Sequence, residues 1–538
     1  MSVYSAHIDT FANDNLPPRD QWPDLIFTLP ELQYPERTNC IVELLEHNIQ
    51  KGYGDRPAIF SADGVLTYSQ MQEQVDKVAH VLTKDMGLVP GNRVLLRSAN
   101  NAMLAICWCA VAKAGLIVVA TMPLLREKEL VDIIEKAQTT AAICDKRLDA
   151  ELLAAQQRSP VLEHIMYFND PSPEGLEAYM SKWNEPFKAV DTSAEDTVLI
   201  AFTSGSTGQP KASMHFHRDI IAACDCFPKS ILQMQHDDIC IGTPPLAFTF
   251  GLGALLIFSM RVGAATILLE KLTPEILLSA INNYNATIVW SSPVFYRQMS
   301  EIAKNLDFPT LRQSVSAGES LPVSTRNMWR EATGLEMVDG IGSTEMLHIF
   351  IASASDEVRP GATGKVIPGY QACILDEKGQ QLPPGSIGRL AVKGPTGCRY
   401  LADVRQRNYV EDGWNLTGDA YLMDDDGYFW FQARTDDMII TAGYNVAGPE
   451  VEGVLLMHPM VAECAVVGAP DTERGTIIKA FVVLKPGVAG DAALIKTLQD
   501  FVKQSIAPYK YPRAIEFCDS LPRAGTGKIQ RYRLRQQG

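Results

Sequence analysis

Clustered positive charge is scarce in this 538-residue sequence: 48 Lys and Arg stand against 63 Asp and Glu, a formal net charge of -15. Nucleic-acid and anionic-membrane surfaces select dense Lys and Arg, so neither is expected as the main partner, while local basic pockets for phosphates stay open. The eleven Cys include no CxxC pair and no Cys/His run with zinc-ligand spacing. Cys107/Cys109 and Cys224/Cys226 are CxC pairs in apolar surroundings and read as reduced core thiols of a cytoplasmic protein. The opening residues lack the basic and apolar regions of a secretory signal, and export is not expected. Long apolar runs are missing too. Ala102 to Leu125 has the length of a membrane span, but Lys113 interrupts it and Ala114-Gly115 breaks it, so it reads as a buried helix followed by a buried parallel strand. Gly251 to Leu269, with Arg261 and Gly263, reads the same way.

What is present is a chain too long for one ordinary core, 46% hydrophobic and 21% charged, in which several domains are expected. Ala58-Ile-Phe60 and Val65-Leu-Thr67 flank Asp63-Gly64, a hairpin signal. Met71, Val75, Val78, Ala79 and Leu82 recur at helical spacing, Arg93 to Leu96 follows as a strand, and the alternation of strand and helix continues to about residue 345. From about 361 to 431 short strands alternate with turn clusters, which predicts a β subdomain. Beyond Arg434 the pattern is mixed again, with a helix opening at Gly448-Pro449 and a strand from Val461 to Val467. The division is therefore residues 1–434 and 435–538, the second of common domain size.

The strongest local signal is Thr203-Ser-Gly-Ser-Thr-Gly-Gln-Pro-Lys211, which follows the strand-like Val198 to Phe202. Glycines and small hydroxyls (Ser204, Gly205, Ser206, Thr207, Gly208) let backbone N–H groups approach a polyphosphate, and Thr207 and Lys211 add a hydroxyl and a cation. Pro210 stands where a Walker A motif needs its second Gly before the Lys, so the string is not one. An ordinary flexible loop is the plain alternative for this string alone.

Four further segments accompany it: Asp339-Gly-Ile-Gly-Ser-Thr-Glu345, Gly413-Trp-Asn-Leu-Thr-Gly-Asp419, Arg434-Thr-Asp-Asp437 with Gly443 and Pro449-Glu-Val-Glu452, and Pro522-Arg-Ala-Gly-Thr-Gly-Lys-Ile-Gln-Arg531. In this order and spacing the sequence resembles the adenylate-forming superfamily of acyl-CoA synthetases, adenylation domains and luciferases. The resemblance covers most of the chain. It implies an α/β fold: a large N-terminal domain of α/β subdomains with a small β-barrel-like subdomain, and a smaller mobile α+β C-terminal domain carrying the catalytic lysine. It also implies ATP, Mg2+ and CoA as cofactor and cosubstrates.

Attack of a carboxylate on the α-phosphate of ATP concentrates charge on phosphoryl oxygens, so the site needs Mg2+ and fixed cations. On the resemblance, Lys528, Lys211, Glu345 and Arg434 are catalytic, and Glu345 with Thr207 holds the metal. ATP binding falls to Thr203–Gly208, Lys211, Gly318, Glu319, Asp339, Gly340, Ile341, Gly342, Ser343, Thr344, Asp419, Arg434 and Lys528. Asp419 takes the ribose hydroxyls and Arg434 the ribose or phosphate. The C-terminal domain rotates after adenylation, with Asp436 at the hinge and Gly443 and Tyr444 along the path of the CoA thiol. Gly525-Thr-Gly-Lys528 reads as a loop that delivers an ammonium, whereas the later arginines, Arg531, Arg533 and Arg535, read as a solvated tail.

For the acid, the uncharged segment Pro244-Pro-Leu-Ala-Phe-Thr-Phe-Gly251 lacks the Asp that amino-acid-activating relatives use for an ammonium. Phe248 and Phe250 offer a flat apolar slot, with core packing the alternative for one of them. His217, Gly251, Ala317, Ile341, Gly342 and His348 complete the expected acid site, with a structural role the alternative for each histidine. Pro245 to Gly253, Asp339 to Phe350 and the start Tyr4 to Phe11 resemble the benzoate and 2-aminobenzoate CoA ligase branch. A small aromatic acid is thus expected, 2-aminobenzoate first, with benzoate and hydroxybenzoates next. Ile341, Ala212 and Ala433 depart from residues common in the superfamily, which bears on nucleotide affinity more than on reaction type. A stand-alone protein loading a carrier protein, or a sensor that has lost turnover, are the competing classes. A homodimer is compatible with the sequence.

Overall fold

The computed structural model describes residues 4–203, 210–435, 437–441, 444–471, 475–523 and 527–536. Among them, a six-stranded sheet runs in the order His164–Phe168, Ala141–Asp145, Arg93–Arg97, Ile117–Thr121, Thr197–Thr203, Lys211–Phe216, parallel except for the last pair. Its inner strands read as unbroken apolar runs because both faces are covered. Val94 and Leu96 enter one core and Leu95, with Ile117 and Val119, the other. The helix Ala102–Lys113 and the strand Ile117–Thr121 occupy the apolar run. Lys113, 1% exposed, is tolerated there because Asp76 and Glu46 pair with its ammonium. Among the described residues no helix is long and apolar enough to cross a membrane.

A nine-stranded sheet packs beside the first, with Gln313–Ala317 and Met337–Gly342 parallel neighbours near one edge and the hairpin Pro57–Ser61/Gly64–Thr67 at the other. Thr67 caps the helix Tyr68–His80 in a reciprocal box with Gln70. The third sheet contains Gln371–Leu375, Ile387–Lys393, Val410–Glu411, Trp414–Met423 and Phe429–Arg434. These strands form the expected β subdomain, with Trp414–Met423 pairing Ile387–Lys393, Val410–Glu411 and Phe429–Arg434. Lys365–Val366, inside the same stretch of sequence, joins the nine-stranded sheet instead.

After Arg434 the chain forms the small ladder Ile439–Thr441/Tyr444–Val446 and a sheet of Val461–Asp471, Gly475–Leu484 and Ala514–Phe517. The helices Gly448–Leu455 and Ala492–Ser505 contribute to a separate apolar core with these strands. Of the arginines of the C-terminal helix Arg531–Gln536, Arg533 is exposed as a solvated tail would be, but Arg531 and Arg535 are not. Arg531 makes a bidentate pair with Glu452 at 2.8–2.9 Å, and Arg535 pairs with Asp437. All eleven Cys are free, and all but Cys518 are fully buried. Burial pushes thiols such as Cys107 and Cys109 well above their ordinary range.

Candidate active site

A cleft of about 1760 Å³ lies between the carboxyl ends of the parallel strands and the C-terminal sheet, the usual position for a ligand in an open α/β sheet. Ends of strands supply its walls. Gly318 and Glu319 follow Gln313–Ala317, and Asp339 to Glu345 span the end of Met337–Gly342 and the turn after it. Thr203 and Lys211 face each other across the antiparallel pair, joined by the glycine-rich loop. Ser204, Gly205, Ser206, Thr207 and Gly208 of that loop lie outside the described residues, as do Asp436 and Gly443; the side chain of Tyr444 does as well.

Asp419 and Arg434, fifteen positions apart, are direct partners across the pair Trp414–Met423/Phe429–Arg434. Arg434 Nη1 donates to Asp419 Oδ1 at 2.9 Å and to the Thr417 carbonyl at 3.0 Å. Burial raises the Asp419 carboxyl, while Arg434, Thr417 and Lys528 act the other way. Glu319 follows the same pattern: burial raises it, and Arg523, Lys528 and Arg531 pull it down. Arg523 Nη1 approaches Glu319 Oε1 at 3.8 Å. One ammonium, Lys528, therefore acts on carboxylates of both walls of the cleft.

Glu345 is 8% exposed and accepts a hydrogen bond from the Tyr400 phenol at Oε1. It has no ion pair among the described residues, and it lines the cleft. A hard, unneutralised carboxylate oxygen facing a polyphosphate-sized space suits Mg2+. No three His, Cys, Asp or Glu side chains converge as a metal cage among the described residues, and Mg2+ held by one carboxylate plus phosphate oxygens requires none.

Asp339, 8% exposed, is pushed up to about 7 by burial, against the attraction of Arg326. The folded chain thus holds this proton to higher pH than the unfolded chain, whose carboxyl titrates near 4, so its contribution to stability falls as pH rises from about 4 through about 7. Asp339→Asn is expected to remove that slope. Its melting temperature relative to wild type should climb between pH 5 and 8.5, and a constant offset in thermal unfolding would contradict the assignment.

The expected acid site is only partly assembled at the cleft surface. Phe248, Ile341 and Gly342 line the cleft. Phe250 and His348 sit behind them in an aromatic cluster: Phe250 lies 6.2 Å from the Trp290 ring and 5.7 Å from His348, whose other side meets Phe258 at 4.4 Å. His348 donates from Nε2 to the Phe250 carbonyl at 3.4 Å and leaves Nδ1 buried without a partner. Burial drops it to about 3, so it is neutral. A Cβ on Gly253 would stand 2.4 Å from the imidazole. Ala317 is buried at its strand end. At Gly251 the missing Cβ makes room for the Pro245 carbonyl, 2.0 Å from where that carbon would lie, so the glycine is required by the turn itself.

His217 is not brought to the cleft. It is fully buried and accepts from the Cys40 N–H through Nδ1 at 3.1 Å. His215, two residues earlier, takes the position beside the nucleotide segment, donating from Nε2 to the Thr344 carbonyl at 2.8 Å. In the strand Lys211–Phe216 alternate residues share a face, which puts His215 on the face of Lys211; His217 has the same parity and is separated from them only because the strand ends at Phe216. Tyr400 and Tyr409 also meet the Ser343–Glu345 segment, and only their position after a turn cluster hinted at them.

Against this geometry the comparisons with known proteins are decisive. The sequence matches the AMP-binding enzyme family over residues 45–400 and the AMP-binding enzyme C-terminal domain over residues 450–528. The chain belongs to the AMP-binding enzymes. It is similar to a benzoate–CoA ligase from Thauera aromatica, 34% identical over 94% of this chain and 98% of that protein. Among solved structures it is similar to the anthranilate CoA ligase AuaEII in complex with anthranoyl-AMP, with a TM-score of 0.89 and 32% identity over 95% and 99% of the two chains. A benzoate CoA ligase from Burkholderia xenovorans LB400 matches with a TM-score of 0.84 and 30% identity over 93% and 100%. This AMP-binding enzyme is accordingly an ATP-dependent, AMP-forming acid–CoA ligase with the fold of those enzymes.

Proposed function

We propose that the chain activates a small aromatic carboxylic acid, 2-aminobenzoate in preference, as its acyl-adenylate and transfers the acyl group to CoA. The observation that carries the aromatic reading is the cluster of Phe250, Trp290, Phe258 and His348 behind Phe248, apolar and without a carboxylate that would hold a substrate ammonium. The relatives named for benzoate and anthranilate agree with it.

In the first half-reaction a carboxylate oxygen of the acid bonds to the α-phosphorus of ATP and the bond to pyrophosphate breaks. Lys528 supplies a fixed ammonium where charge accumulates, Lys211 flanks the polyphosphate, and Asp419 and Arg434 hold the ribose end. Glu345 would hold Mg2+, which would supply neutralisation of the phosphate charge. In the second half-reaction the CoA sulfur, losing its proton, bonds to the acyl carbon and AMP leaves. Asp436, Gly443 and Tyr444 are assigned to the hinge and thiol path on the motif alone. CoA-dependent AMP release across benzoates, aminobenzoates, hydroxybenzoates, cinnamates and aliphatic acids tests the proposal. Preference for an aliphatic acid would refute the aromatic reading, and preference for benzoate over 2-aminobenzoate would refute the finer one.

Phe250→Ala should broaden specificity. Removing a ring in contact with Trp290 and His348 opens space behind Phe248, so kcat/KM for benzoate should fall about tenfold or more relative to a larger aryl acid, the scale of small apolar differences in a pocket. If Phe250 serves only the core, losses will be uniform across acids and accompanied by a lower melting temperature.

A further inference from the structure

Three side chains from separate parts of the chain converge on the short segment Ser343–Glu345. Tyr409 and Ser343 share a hydrogen bond of 3.2 Å between hydroxyls, His215 holds the Thr344 carbonyl, and Tyr400 donates to Glu345 Oε1. Tyr400 is fully buried and itself fixed. Its N–H donates to Gln406 Oε1 at 2.9 Å, it bridges to Ser213, and its ring packs edge-on to Tyr409 with centroids 5.7 Å apart. Phenylalanine would fill the same core, so the hydroxyl, aimed at a carboxylate that lines the cleft, requires a separate account.

That account follows from charge. Asp419 and Asp219 are each tied to an arginine, whereas the donor on Glu345 is neutral. A phenol removes the rotational freedom of a glutamate side chain without neutralising it, leaving the full negative charge for a cation; an arginine in its place would compete with that cation. Carboxylates that bind metals depend on such hydrogen-bonded partners for orientation. The nearby Lys211 ammonium stands over the face of the Tyr400 ring, 5.3 Å from its centroid, and not on Glu345. Phosphate-binding cation and metal-binding anion are thus kept apart by one aromatic side chain.

We propose that Tyr400 is a positioning residue that orients the Glu345 carboxylate toward the divalent cation accompanying ATP while leaving its charge unneutralised. The inference rests on the reading of Glu345 as the metal carboxylate.

The test is calorimetric ATP binding to the full chain over a series of fixed Mg2+ concentrations, with thermal stability recorded alongside. Tyr400→Phe should raise the Mg2+ concentration for half-maximal ATP affinity ten- to a hundredfold, the range for loss of a partner that orients a metal ligand. In a Glu345→Gln background the same change should have no further effect on the Mg2+ requirement, because both act through one carboxylate. If Glu345→Gln shifts the requirement and Tyr400→Phe does not, the role of Tyr400 is overturned and that of Glu345 stands. An equal Tyr400→Phe shift in both backgrounds also overturns it. If Glu345→Gln leaves the requirement unchanged, the metal reading fails and the inference with it. Should Tyr400→Phe not fold, 4-fluorophenylalanine incorporated in place of Tyr400 fills the volume of the hydroxyl with no proton to donate. The same shift is then expected, and its absence overturns the proposal.

Discussion

Lys528→Ala is expected to lower the rate of acyl-adenylate formation on the order of 10²–10³-fold, the scale of losing one fixed group that stabilises transition-state charge. Lys528 lines the cleft together with Asp419 and Glu319, and its attraction lowers both carboxyls, as the proposed role beside the α-phosphate requires. Negative charge on that phosphate grows as the acid attacks, so the lysine is worth most at that moment. Thioester formation from supplied acyl-adenylate passes through no such phosphoryl intermediate and should stay within a few-fold of wild type. Single-turnover measurement of the two half-reactions separates them. Equal losses in both would remove Lys528 from this role and make it a general element of domain closure.

The largest effect on stability should come from a different cation. Arg399 and Asp219 are both fully buried and hydrogen-bonded, with the guanidinium carbon 4.0 Å from the centre of the Phe216 ring. Among the described residues, Arg399→Met leaves the buried Asp219 carboxylate with no cation nearer than Arg218 Nε at 4.0 Å, and loss of the close partner costs about 3–5 kcal/mol in comparable buried pairs. Asp219 also accepts from the Phe216 N–H at 2.9 Å at the start of the helix His217–Ser230. Asp219→Asn keeps that acceptor while removing the charge. The double variant Arg399→Met/Asp219→Asn should therefore be more stable than Arg399→Met alone, by denaturant unfolding followed through tryptophan fluorescence. A double variant with the summed loss of both single changes would show that the pair is not coupled.

The structure explains why some residues were readable in advance and others were not. The loop from Thr203 to Lys211 was legible because its glycines, hydroxyls and lysine are contiguous, and the flanking strands follow from their apolar, β-branched runs. The helix and strand over Ala102 to Leu125 were legible because one lysine and one Ala-Gly break decide between membrane and core. Position after Lys211 in the sequence does not distinguish His217 from His215 as a cleft residue. The strand ends at Phe216, so His215 meets the nucleotide segment from the strand while His217, opening the next helix, is turned into the core. Phe250 and Phe248 look equivalent along the chain, yet only Phe248 reaches the cleft surface.

Sequence alone determined the chemistry available to this chain and the order of its elements, because composition, periodicity and contiguous motifs are local properties. It supplied the lysines, the carboxylates, the strand and helix alternation, and a segment too apolar and uncharged to hold an amino-acid ammonium. Tertiary structure decided which of these groups meet. Arg434 comes to lie on Asp419 through the register of two antiparallel strands, Arg531 on Glu452 through the packing of a terminal helix, and Tyr400 on Glu345 through a crossing of segments 55 positions apart. Burial then set their charge states, raising Asp339 and lowering His348. Distance and desolvation depend on residues far apart in the chain, and those are the quantities that turn a set of reactive side chains into a site.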